Sequence, residues 1–108
     1  MNPVLAYITA KDKAEAAFLS DMLLKNRLAA CVNTIEGIHS AYWWENKIEK
    51  SEEIILIAKT KESLKSELLE AIKKYHSYDC PCVLFIPVQG GSEAYIHWLV
   101  TETEKGKS

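Results

Sequence analysis

Apolar positions along this chain keep two rhythms: short runs in some segments, a recurrence every three or four residues in others. Val4 to Thr9 is a nearly continuous apolar run, as expected of a strand covered on both faces. Asp12, followed three residues later by Glu15, has the form of a helix N-cap with a capping box. A helix then runs from Lys13 to about Arg27. Ala16, Leu19, Ser20, Leu23 and Leu24 make its small-to-apolar face, and Lys25 and Arg27 lie in the last turn, where cations suit the helix dipole. Ala29 to Trp44 reads as a long strand with a bulge near Glu36-Gly37, and Glu45-Asn46 is the tight turn, because Asn tolerates positive φ. Lys47 to Thr60 returns as a second long strand, ending in the apolar run Ile54 to Ala58. Thr60 is placed to cap the next helix, in which Leu64, Leu68, Ala71, Ile72 and Tyr75 recur at helical spacing. Cys82 to Val88 forms a fourth strand, which Pro81 and Pro87 confine to a sheet edge. Ser92 caps a last helix carrying Tyr95, Trp98 and Leu99, and Lys105 to Ser108 predict a frayed tail.

The order is βαββαβ plus a terminal helix. It predicts an α+β fold of the ferredoxin-like kind, one antiparallel sheet with two helices on one face. Strands one and three are expected at its centre and strands two and four at its edges. With 108 residues the chain forms a single domain, 1–108, around one core. The middle hairpin is too long for that domain: each arm spans roughly 45 Å at about 3.3 Å per residue, against roughly 21 Å for the helices. Its overhanging end carries Tyr42, Trp43, Trp44 and Ile48. Leaving these in water forfeits on the order of 2 kcal/mol per large side chain. Burial against further copies of the chain resolves this. The alternative is that the terminal helix folds back over the tip.

Apolar residues make up 48% of the chain and charged residues 26%, which argues against disorder. The net charge of −2 argues against a nucleic-acid partner. No apolar run approaches the roughly 20 residues of a membrane helix. The start, Met1-Asn2-Pro3-Val4, carries no basic segment or cleavage pattern, so the expected location is cytoplasmic. Cys31, Cys80 and Cys82 are an odd set for a disulfide framework and are expected as reduced thiols.

Among candidates for chemistry, Cys80-Pro81-Cys82 is the most suggestive. In extended backbone both thiolates face one side, and His76, four residues upstream, supplies a third donor; copper(I) or zinc suits such a set. Packing of the two cysteines at an edge strand is the competing reading. Cys31 reads as a structural residue at a strand start, and His39 and His97 as surface or interface residues. Lys47, Glu49 and Lys59 either pair at a rim or line a cleft between subunits with Trp43 and Tyr78, where a small anion or metabolite would sit. No Gly-x-Ser-x-Gly elbow, P-loop or dinucleotide fingerprint occurs, so no catalytic residue and no organic cofactor is assigned.

Several blocks resemble the CutA family of divalent-cation tolerance proteins: Arg27-Leu28-Ala29-Ala30-Cys31-Val32-Asn33, then Ala41-Tyr42-Trp43-Trp44-Glu45-Asn46-Lys47-Ile48-Glu49. Ile57-Ala58-Lys59-Thr60, His76-Ser77-Tyr78-Asp79 and Tyr95-Ile96-His97-Trp98-Leu99 follow in the family's order. The resemblance covers Val4 to about Glu102. It implies a ferredoxin-like fold, an interlocked homotrimer, a likeness to PII-type signalling proteins, and a role linked to divalent metal ions, copper above all. The sequence departs from the family pattern at Asn46 (usually Gly), Ser77 (usually Pro) and Asp79 (commonly Glu). Positions where some members place copper-contacting Cys and His residues are here Ile8, Tyr75 and His76, so only His76 keeps the ligand type.

Three functional classes follow: a trimer binding ions or small ligands at subunit clefts, a trimeric scaffold anchoring other proteins, and an RNA-binding module. The last is disfavoured, since the aromatics lie at a hairpin end and not on central strands.

Overall fold

The structure, a computed structural model, describes residues 2–104. The expected tail from Lys105 onward lies outside the described residues. Strand β1 spans Pro3–Ala10, helix α1 Lys13–Lys25, strand β2 Cys31–Trp44 and strand β3 Lys47–Lys61. A 3₁₀ turn at Glu62–Leu64 leads into α2, Lys65–Tyr75, followed by β4, Val83–Pro87, and α3, Glu93–Glu102. The four strands form one antiparallel sheet in the order β2-β3-β1-β4, with β3 and β1 at its centre, as the apolar runs predict.

Local chemistry sets most boundaries. The Asp12 side chain accepts from the Glu15 amide, and Ser92 accepts from the Tyr95 amide, so both expected caps form. The Glu15 side chain does not close the reciprocal bond to the capping residue; its Oε1 accepts from the Lys11 amide instead. Helix α1 ends two residues earlier than expected, because Arg27 takes a left-handed φ of 56°. The Leu28 amide then reaches back to the Leu23 carbonyl, the bond pattern of a Schellman cap with Arg27 where glycine usually stands. Thr60 is not a helix cap: β3 continues through it to Lys61, and its buried hydroxyl finds no partner among the described residues.

The core lies between the sheet and helices α1 and α2. Ala6, Ile8 and Ala10 of β1 and Ile54, Leu56 and Ala58 of β3 meet Leu19 and Leu23 of α1 and Leu68 and Ile72 of α2. Two helical positions expected inside are not: Leu24 and Tyr75 are exposed. On helix α1 Glu15 and Met22 join the buried stripe, Ser20 is half-buried with its hydroxyl oxygen shut away from solvent, and Leu24 lies outside. The Lys11 and Ser77 amides hold the Glu15 carboxylate inward.

The hairpin outruns the core. The inner part of β3, from Glu53 to Thr60, is largely buried, whereas Lys47 to Glu52 is almost wholly exposed. The molecule is accordingly elongated, 44 × 27 × 23 Å. A register shift between Ile35 and Ile38 places one extra residue in β2 at the predicted bulge, with Gly37 at φ 75°. At the far end Glu45 and Asn46 both take positive φ, 50° and 64°, the pattern of a type I′ turn. Helix α3 does not fold over this tip. It is anchored at the opposite end of β3, where Lys59 Nζ donates to Tyr95 Oη (3.3 Å), Lys61 Nζ to the Val100 carbonyl (3.4 Å) and Arg27 to Glu102.

Candidate functional site

A cluster of polar contacts gathers where the loop after α2 crosses the end of β1. α2 stops at Tyr75, and His76 turns to extended backbone with its side chain fully buried. His76 Nε2 lies 2.7 Å from the Thr9 carbonyl oxygen, and the Tyr78 amide donates to Nδ1 at 3.0 Å. Glu15 enters from α1: Oε1 accepts from the Lys11 amide (3.0 Å) and Oε2 from the Ser77 amide (2.8 Å), 3.7 Å from His76 Nδ1. Burial pushes this carboxyl up, but hydrogen bonds from Ser77 and from the Lys11 amide outweigh it and hold the carboxyl below the usual glutamate range.

Two residues on, the Tyr78 hydroxyl donates to Glu53 Oε2 at 2.8 Å, tying the same loop to central strand β3. Burial, the acceptor carboxylate of Glu53, and the further charges of Glu15 and Tyr42 push the Tyr78 phenol well above its ordinary value, so it stays a donor. The loop then presents Cys80, exposed, and Cys82, half-buried. Burial, then Glu53 and Cys80, push the Cys82 thiol up and disfavour the thiolate that soft metals require.

These observations test the metal set His76, Cys80 and Cys82. The three share one loop, but both ring nitrogens of His76 are engaged by backbone groups and Cys82 is held as a thiol. Among the described residues no three His, Cys, Asp or Glu side chains are grouped to hold a metal ion. The donor set of one chain therefore does not fit a bound cation in this conformation.

The residues expected at a cleft are spread along the molecule. Tyr42, Trp43 and Trp44 face Glu49, Ile48 and Lys47 across the hairpin end. Trp43 is 72% exposed and Ile48 59% exposed. Tyr78 lies at the middle of the sheet with Glu53, and Lys59 at its far end under the Tyr95 ring. One chain does not bring the tip and Lys59 together. An open groove of about 460 Å³ runs between the loop after β1 and the bulge, bordered by Lys11, Asp12, Lys13, Glu36, Glu52 and Glu53, with Lys13 paired to Glu36 at 3.4 Å.

Glu15 and Glu53 were not singled out for chemistry by sequence reasoning. The signal available was an acid at the border of an apolar strand run for Glu53, and only a capping position for Glu15.

The family model described as CutA1 divalent ion tolerance protein matches residues 4–102. A divalent-cation tolerance protein CutA from Pyrococcus horikoshii is 45% identical over 103 residues, covering 94% of this chain and 99% of that protein. A chloroplastic CutA 1 protein from Oryza sativa is 40% identical across 94% of this chain, which spans 58% of that relative's length. The crystal structure of CutA1 from Oryza sativa superposes with a TM-score of 0.94 at 39% identity, covering 98% of this chain and 97% of that one.

Proposed function

Since this chain belongs to the CutA1 divalent ion tolerance family, we propose that it serves divalent-cation tolerance as a homotrimer without enzymatic activity, binding ions or small ligands at clefts between copies. The observation that carries this reading is the β2–β3 arm, whose aromatic end none of the described residues covers. An exposed cluster of that size marks an interaction surface. A second copy lays its tip along the sheet of the first, so that Trp43, Lys47 and Glu49 of one copy face the stretch of another that runs from Tyr78 to Lys59. Since the donors of one chain do not fit a metal, a copper response or a PII-like signalling role rests on ligands assembled across copies. The three cysteines, all free, suit a reducing compartment such as the cytoplasm.

The test combines light scattering with calorimetric titration by copper and zinc. A mass of three chains at micromolar concentration and saturable metal uptake are expected. The Trp43→Ala, Trp44→Ala variant is expected to lose both. A monomeric wild type defeats the reading.

A second reading, a scaffold that anchors other proteins, is favoured by Phe18 and Tyr75. These pack edge-to-face at 5.9 Å on the helical layer, both half-exposed and far in sequence from the arm. A wild-type trimer that takes up no metal points to this alternative.

A further inference from the structure

We infer that His76 is a positioning residue closed to cations: its proton stays on Nε2, both ring nitrogens are committed to backbone partners, and any metal this chain handles is taken without it. The tautomer follows from elementary donor and acceptor rules. A backbone amide can only donate, so the bond from Tyr78 N to Nδ1 requires a lone pair on Nδ1. A carbonyl oxygen can only accept, so the 2.7 Å contact to Thr9 requires the proton on Nε2. Nε2 then has no lone pair to offer a metal, and Nδ1 offers one only after the Tyr78 amide has left it. That departure leaves a part-buried amide without its partner and frees the segment whose Tyr78 hydroxyl holds Glu53. The neighbouring Tyr75 side chain is exposed and packs edge-on against Phe18. The one histidine that keeps the family's ligand type thus pins the loop to β1.

The assignment is independent of the proposed assembly, and wild-type protein tests it. Imidazole ¹⁵N spectra near neutral pH are expected to show His76 as the neutral Nε2–H tautomer, unmoved by saturating zinc, with exposed His39 and His97 as internal references. An Nδ1–H or doubly protonated ring, or a zinc-induced shift of Nδ1, overturns it. In His76→Asn, amide exchange at Ser77 and Tyr78 is expected to quicken by roughly tenfold or more, with the zinc stoichiometry of wild type retained. Loss of zinc uptake in a folded His76→Asn, while Cys80→Ser, Cys82→Ser retains it, also overturns the assignment. If wild type takes up no zinc, the functional reading fails and the tautomer alone decides the role of His76.

Discussion

At Glu15, burial and hydrogen bonding pull the carboxyl in opposite directions, and the bonds win. The carboxylate is therefore held more tightly in the folded chain than in the unfolded one. Its stabilisation is complete above the ordinary glutamate range and is lost as pH falls through the depressed folded value. Glu15→Gln is expected to lower stability by about 1.5–3 kcal/mol near pH 7. Urea melts at pH 7 and pH 3 should show that gap narrowing in acid; a gap independent of pH would refute the charge argument. Arg27 poses a second conflict, a non-glycine residue in the left-handed region whose guanidinium holds Glu102 at 3.0 Å. Arg27→Ala keeps the strain and loses the anchor. Arg27→Gly loses the anchor but relieves the strain, so its melting point is expected above that of the alanine variant by the equivalent of about 1 kcal/mol. Neither conflict is legible in the sequence, because each arises from partners far along the chain: Ser77 for Glu15, Glu102 for Arg27. The same holds for His76, whose acceptor Thr9 lies 67 positions away.

The elements themselves were largely readable, since capping, periodicity and turn chemistry are local. Asp12, Ser92, the bulge and the Glu45-Asn46 turn appear where residue type alone puts them. Thr60 shows the limit. A threonine before a helical pattern has the form of a cap, but pairing with Val4 carries the strand through it. Cross-strand pairing is not local, and here it overrides the local preference. The turn yields a sharp prediction. With φ positive at both central positions, Asn-Gly is the preferred pair. Glu45→Asn, Asn46→Gly is expected to raise thermal stability, by about 0.5–1 kcal/mol, whereas Glu45→Pro, which forces φ negative, should open the hairpin end. Circular dichroism melts of the two variants check both signs.

For the molecule as a whole, the mismatch between a long arm and a short helical layer was visible in segment lengths alone, and the 44 Å axis bears it out. What covers the arm is not written in one chain. If copies cover it, unfolding is linked to concentration, and the melting temperature should climb with each tenfold increase in protein. A melting point indifferent to dilution across the range where scattering reports association would argue against that linkage. The extra residue near Gly37 has a further consequence for how such arms meet. Side chains on a strand alternate sides, so the arm's presentation is a question of parity. Deleting Gly37 alone should restore an unbroken ladder, with Ile35 still opposite Ile55 and Ile38 opposite Glu53, and leave Tyr42 and Trp44 on their present side. Deleting two residues leaves β2 one short against β3, which forces the irregularity into β3 and sets the faces of the arm against those of the core end. Among variants with folded cores, association should survive loss of the one bulge residue better than loss of two.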